Sequence, residues 1–239
     1  MISVNVINLN ALKFTTFERI FKIQNYTMQV KKFTFNPFQE NTYVVFDETK
    51  EAVIIDPGCY EAYEDKEIFD FINENDLEVK ELLNTHCHID HVLGNQEIAN
   101  KYGLTLKIHK ADLPTLESVD SYSHVYGFQN YKTSPFPEFI DETDVIRFGN
   151  SEFTILFGPG HSPGHIAFYS EKNKFIISGD ILFQGSFGRV DLPGGDFNTL
   201  KDTILNTMFS LPDDTVVFSG HGPETTIGNE KRTNPMNQL

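Results

Sequence analysis

Residues 85–91 read Thr-His-Cys-His-Ile-Asp-His. Three imidazoles and a carboxylate between His86 and His91 are a dense supply of ligands for a borderline-soft cation. If residues 84–88 extend the short strand that Leu82 and Leu83 begin, its period of two puts His86 and His88 on one side and Cys87 on the other. Two imidazoles can then share one ion. Asp90 and His91, past the turn, are free to face a second. A solvated polar loop would need none of this spacing. Cys87 is expected to be a small buried residue, not a ligand or nucleophile.

Upstream, Met28 opens an alternating stretch, Gln29 to Asn36, that reads as a half-buried strand. Tyr43–Phe46 and Ala52–Ile55 give two more, ended by Asp56-Pro57-Gly58. Ile68, Phe69 and Ile72 amid charge predict an amphipathic helix over 62–75. Downstream, Asn95–Tyr102 reads as a helix closed by Gly103, Thr105–His109 as a strand and Ala111–Ser118 as a short helix. Residues 120–140, rich in Tyr, Phe and Pro, show no period and read as a long loop of the kind that covers a substrate. Strands return at Asp144–Phe148, Glu152–Phe157, His165–Ser170 and Lys174–Ser178. A helix over Phe197–Phe209, capped by Asp196, and a last strand, Thr215–Ser219, follow. Two strand-rich halves, each with helices, predict an α/β fold of two sheets packed face to face with helices outside. Residues 1–27 lack a clear period and read as an extension, leaving one domain over 28–239.

Three more candidates stand directly after strands, beside glycines that let backbone approach a site closely. They are His161 in Gly158-Pro-Gly-His-Ser-Pro-Gly-His165, Asp180 after Ser178-Gly179, and His221 in Ser219-Gly-His-Gly-Pro223. Singly each would read as a loop residue; with the first cluster they form a pattern. His165 has two readings, packing at a strand start or orienting a ligand, and the first is favoured. Arg189 and Asp191 form either a pair supporting the site or a salt bridge elsewhere. His109 and His124 read as bystanders, and Cys59 has no assigned role. Tyr122, Tyr126 and Phe128 either line a substrate entrance or pack on the core.

The run His-x-His-x-Asp-His, followed by a Gly-His, an Asp and a final Gly-His, resembles the metallo-β-lactamase superfamily. Gly188-Arg-Val-Asp-Leu-Pro-Gly-Gly-Asp196 and Gly220-His-Gly-Pro-Glu-Thr-Thr-Ile-Gly228 resemble its glyoxalase II-like hydrolases. The resemblance spans residues 28–239. It implies a four-layer αββα sandwich of two mixed sheets. It also implies a dinuclear centre: His86, His88 and His161 on one ion, Asp90, His91 and His221 on a second, and Asp180 bridging both. The ions would be divalent, zinc first, with iron or manganese as alternatives. The implied reaction is hydrolysis of a small-molecule acyl-thiol, S-lactoylglutathione-like, by a hydroxide held between the ions, with Asp90 also accepting a proton. The 18 residues after His221 leave no room for the helical glutathione-binding domain of dedicated glyoxalase II, so the thiol stays open. A mononuclear iron persulfide dioxygenase on the same scaffold is the alternative.

Composition narrows the field. The 239 residues carry a net charge of −15, so a phosphate backbone would be repelled and nucleic acid is not an expected partner. That disfavours a nuclease on this scaffold. No apolar run approaches the ~20 residues of a membrane helix, and no signal-like segment opens the chain. Two cysteines are too few for a disulfide framework, so a reducing, cytoplasmic setting is expected. The intact ligand pattern argues against a vestigial scaffold. The missing export signal argues against a β-lactam hydrolase. Oligomeric state has no signal in the sequence.

Overall fold

The computed structural model describes residues 28–238, so the expected extension 1–27 lies outside the described residues. A first sheet holds β1 (Gln29–Phe35), β2 (Glu40–Phe46), β3 (Glu51–Ile55), β4 (Glu78–Leu83), β5 (Leu106–His109) and β6 (Glu138–Ile140), in that spatial order. β1, β2 and β3 pair antiparallel, whereas β3 to β6 run parallel. The second sheet has the order β14-β13-β10-β9-β8-β7. Its strands are β7 (Val145–Phe148), β8 (Ser151–Phe157), β9 (Ile166–Ser170) and β10 (Phe175–Gly179), then β13 (Val216–Ser219) and β14 (Thr225–Thr226). A small hairpin, β11 (Leu182–Phe183) and β12 (Ser186–Phe187), lies between β10 and β13 in the chain. β10 pairs parallel with β13. Both sheets are mixed.

Side-chain alternation builds the layers. On β2, Tyr43 and Val45 point between the sheets and meet Phe153, Phe168, Phe175 and Phe218. Val44 and Phe46 point the other way, onto α1 (Ala62–Glu74), α3 (Asn95–Tyr102) and α4 (Leu113–Tyr122) through Ile68, Ile72, Ile98 and Val119. The outer face of the second sheet, with Ala167, Ile176 and Val217, is covered by α5 (Phe197–Asp202) and α6 (Ile227–Thr233). Helix, sheet, sheet, helix: the expected four-layer α/β sandwich is present. Among the described residues, no helix is long and apolar enough to cross a membrane.

The differences from the sequence reading are local. β4 ends at Leu83, so the ligand-rich run is a loop leading into the short α2 (Ile89–Val92), not a strand extension. Cys87 is nonetheless fully buried on the side away from the cluster, where its N–H donates to Asp112. β2 opens at Glu40, three residues before Tyr43. The supposed loop 120–140 contains the end of α4, a tight helical turn over Ser123–Tyr126, and β6. Three residues are too few to show alternation, and β6 forms only because β5 offers it a parallel edge. The helix expected over 197–209 changes pitch after Asp202, through a π-helical turn at Thr203–Thr207.

Candidate metal centre

The parallel pairs set the site. β3 and β4 end at the same edge of the first sheet, delivering Asp56 and residues 85–91, while β10 and β13 deliver Asp180 and His221 from the second. The loop from β8 to β9 carries His161. All seven singled-out residues converge there, in two groups. In the first, His88 Nδ1 lies 2.8 Å from His161 Nε2, which is 3.2 Å from His86 Nε2. Three nitrogens on one cation at about 2.0–2.1 Å would stand about 3.4 Å apart, so the cluster is close to that size. In the second, His221 Nε2 is 3.2 Å and His91 Nε2 3.8 Å from Asp90 Oδ2. Asp180 joins the two. Its Oδ2 is 3.5 Å from both His161 and His221, and its Oδ1 is 3.5 Å from His91. Gly220 permits this approach, since a Cβ there would stand 2.1 Å from Asp180 Oδ1.

Hydrogen-bond logic assigns the tautomers. His161 Nδ1 donates to the Arg189 carbonyl at 2.7 Å, so its Nε2 presents a bare lone pair. Thr85 gives its hydroxyl proton to Asp56 at 2.6 Å and accepts from His86 Nδ1 at 3.1 Å, which bares His86 Nε2 as well. His91 donates from Nδ1 to Asp56 and His221 from Nδ1 to the Phe38 carbonyl. The inward nitrogens of four rings are thus each backed by a hydrogen bond from behind, the arrangement that metal-binding histidines require. Two bare nitrogens 3.2 Å apart repel unless a cation or proton lies between them. His91 Nε2 and Asp180 Oδ1 are likewise buried without hydrogen-bond partners. The donor set therefore fits two cations. A third grouping, Asp56 with His86 and His91, is not such a site, because Asp56 spends both oxygens on Thr85, Asn84 and His91.

The two groups differ in charge. Burial, then His91 and the other histidines, drives His86 well below the usual imidazole range, and burial with His161 takes His88 down to about 3. Burial opposes protonation of His91 too, but Asp90 and Asp180 outweigh it and raise His91 to about 10. His221 rises to about 11 against its burial, through hydrogen bonds to Asp180 and Asp90. Asp180 is held below the carboxylate range by His91 and His221 despite burial.

Supporting residues complete the site, and three of them, Asp56, Asp112 and Glu40, have no site role in the sequence analysis. Asp56 sits at φ +50°, a left-handed conformation that is costly for a non-glycine residue. From there it accepts from the Thr85 N–H at 2.7 Å and pins His91. Asp112, fully buried, accepts from Cys87 N–H at 2.6 Å, from the Ser162 hydroxyl, and from Gly164 N–H at 2.9 Å. One carboxylate thereby ties the 85–91 loop to the loop of His161. Glu40, also fully buried, lies 3.9 Å behind His91, and burial pushes its carboxyl well above the usual range. His165 is more than packing. Its Nε2 accepts from the Asp180 N–H at 3.0 Å while its ring stacks on His86 at 4.6 Å, so it fixes the backbone of Asp180. Arg189 and Asp191 pair with each other at the surface, and it is the Arg189 backbone that serves the site. Tyr122 and Tyr126 line the cavity, whereas Phe128 is core.

The sequence profile of the metallo-β-lactamase superfamily matches residues 35–221. The chain belongs to that superfamily. Over 211 residues it is 37% identical to hydroxyacylglutathione hydrolase GloC of Haemophilus influenzae, covering 87% of this chain and 98% of that one. The crystal structure of TTHA1623 in a di-iron-bound form superposes with a TM-score of 0.76 at 38% identity, over 85% of this chain and 98% of that one. The BLEG-1 B3 metallo-β-lactamase gives 0.78 at 33%, over 86% and 98%. Fold and cluster are those of a metallo-hydrolase.

Proposed function

We propose that the chain is a dinuclear metal-dependent thioesterase. The observation that carries this reading is the position of Asp180, whose two carboxylate oxygens stand 3.5 Å from His161 of one group and from His91 and His221 of the other. His86, His88 and His161 would hold one divalent ion, Asp90, His91 and His221 the other, and Asp180 both. Zinc suits the nitrogen-rich set, and the di-iron form of TTHA1623 makes iron the second choice. Bound ions of this kind polarise a carbonyl and bring the pKa of water to about 7.

The chain's own residues do the rest. Asp90 lines the cavity with its Oδ2 held by His221, where it can accept a proton from an attacking water. Asp56, Asp112 and His165 keep the rings and carboxylates from rotating away. The cavity of about 950 Å³ above the cluster admits a substrate the size of an acyl-thiol. The similarity to GloC supports a thioester over other acyl compounds.

Elemental analysis of the reconstituted full chain, paired with a thioester hydrolysis assay, tests this. Two ions per chain and turnover of acyl thioesters are expected. One ion at most after reconstitution would overturn the dinuclear assignment and favour a mononuclear iron dioxygenase. Two ions without turnover of any thioester would overturn the substrate class.

A further inference from the structure

Among the residues lining the cavity, His88, Asp90, His161, Asp180 and His221 belong to the cluster. The walls come from Phe38, Tyr122, Tyr126, Phe183, Phe187 and Leu192. At the mouth, Phe38 and Tyr126 meet edge to face at 5.8 Å, and Tyr126 meets Tyr122 at the same distance. Phe38 and Tyr126 are also among the exposed large apolar side chains of the chain. An aromatic mouth over a charged floor suits a ligand with one polar, reacting end and one apolar arm.

Charge sharpens the point. Arg189 is the one lysine or arginine among the lining residues. Its Nε and Nη2 both donate to Asp191, at 2.6 and 2.7 Å, so its charge is already matched bidentately. Of the lining hydroxyls, Ser118 donates to the Thr115 carbonyl of its own helix. Glutathione carries two carboxylates and an ammonium, and these walls offer no uncommitted cation to receive the carboxylates. The chain's net charge of −15 opposes them as well.

We propose that this cavity selects thioesters with an uncharged, apolar arm and discriminates against glutathione as the thiol carrier. The proposal rests on the thioesterase reading for the bond that is cut, and on the walls alone for what lies beside it. Hydrolysis then breaks the acyl C–S bond, water supplies the acid's new oxygen, and the neutral thiol leaves with the proton.

Two measurements on the metal-loaded full chain separate these layers. The first is calorimetric binding of two non-cleavable thioethers with the same alkyl group, S-hexyl-N-acetylcysteamine and S-hexylglutathione. The neutral compound is expected to bind at least tenfold more tightly. Asp191→Asn, which releases the Arg189 guanidinium, should tighten S-hexylglutathione several-fold and leave the neutral compound unchanged. The second is hydrolysis of N-acetylcysteamine thioesters from acetyl to hexanoyl, where kcat/KM should climb about two- to fourfold per added methylene. Equal or tighter binding of S-hexylglutathione, or a flat acyl series, overturns the proposal. If the thioether preference holds but no thioester is cleaved, the hydrolase reading falls while the cavity's selectivity stands.

Discussion

In the first group, burial keeps the rings of His86 and His88 neutral, whereas in the second His91 and His221 share their inward nitrogens with Asp90 and Asp180 and take up protons. The first group offers lone pairs and almost no charge. The second offers negative charge that protons satisfy until something replaces them. The two groups share residue types and both draw on the 85–91 loop, so the difference comes from packing. Residues 86 and 88 meet other histidines; residue 91 meets carboxylates. Asp180 belongs to both environments and is the place where the comparison can be broken.

Asp180→Asn should have the largest effect. The amide keeps the shape but removes the negative charge that two cations would share, and its NH₂ offers a donor where the carboxylate offered only acceptors. Activity is expected to fall by several orders of magnitude, on the scale of losing a catalytic group, with metal content dropping toward one ion per chain. The residue follows the end of β10 and adds no side chain to the apolar core, so near-UV circular dichroism should stay native. Near-normal turnover with two ions bound would remove Asp180 from the bridging position.

Asp112→Asn should separate the groups. Asp112 holds Cys87, Ser162 and Gly164, neighbours of His86, His88 and His161, and has no hydrogen bond to the residues of the second group. An amide nitrogen in place of one acceptor oxygen faces a donor with a donor. The first ion's affinity, measured by chelator competition, should weaken about 10- to 100-fold, the usual cost of losing an outer support. The second should change far less. Equal weakening of both would mean that the two groups are not independently braced.

The residues that converge were legible because side chains able to bind a metal can be picked out by type and by position after a strand. Glycine-flanked His161, Asp180 and His221 could be picked out without knowing which strands were neighbours. The supports were not legible. Asp56 sits before Pro57-Gly58 and looks like a turn residue; Asp112 precedes Leu113-Pro114 and looks like a helix start. What makes them matter is their partners, 29 residues on for Thr85 and 50 for Ser162, and local pattern carries no such pairing. His165 reads as a packing residue for the same reason, since its partner Asp180 lies 15 residues on, past the end of β10. The fold was readable in its two halves, and β6 was hidden because only tertiary pairing makes it a strand.

Acidity should expose the charge difference in the metal-free protein. His88, at about 3, lies below the ordinary value of about 6.5. The folded chain then binds fewer protons than the unfolded one between those limits, so stability present above pH 6.5 is lost as pH falls toward 3. His91 and His221, at about 10 and 11, carry the opposite sign. Their stability is present below pH 6.5 and is lost as pH rises through the folded values. The metal-free melting temperature should therefore peak near pH 6.5 and fall by several degrees on either side. Loading the centre should flatten the alkaline limb, because ions replace those protons. A metal-free melting temperature that rises between pH 7 and 10 would contradict the assignment of protons to the second group.

The smallest effect concerns where the domain starts, and it contrasts the extension with β1. β1 pairs with β2 along its whole length, from Gln29 opposite Phe46 to Phe35 opposite Glu40. Met28 and Val30 are buried between the sheets, and the Met28 N–H donates to Asn173 Oδ1 at 3.3 Å. β2 in turn reaches the second sheet beside the site: Asn41 Nδ2 and the Tyr43 hydroxyl both donate to the Ser219 carbonyl, at 3.0 and 2.6 Å. A chain begun at Met28 retains each of these, and its new amino group would still find Asn173 as an acceptor. We propose that residues 1–27 are dispensable, with melting temperature within about 1 °C of the full chain and equal kcat/KM. A chain begun at Lys31 should behave differently, losing two buried side chains worth about 1.5–3 kcal/mol each, or several degrees at about 2–4 °C per kcal/mol for a domain of this size. If the two truncations melt alike and both well below the full chain, the extension packs as part of the domain or of an oligomer, and the boundary at Met28 is wrong.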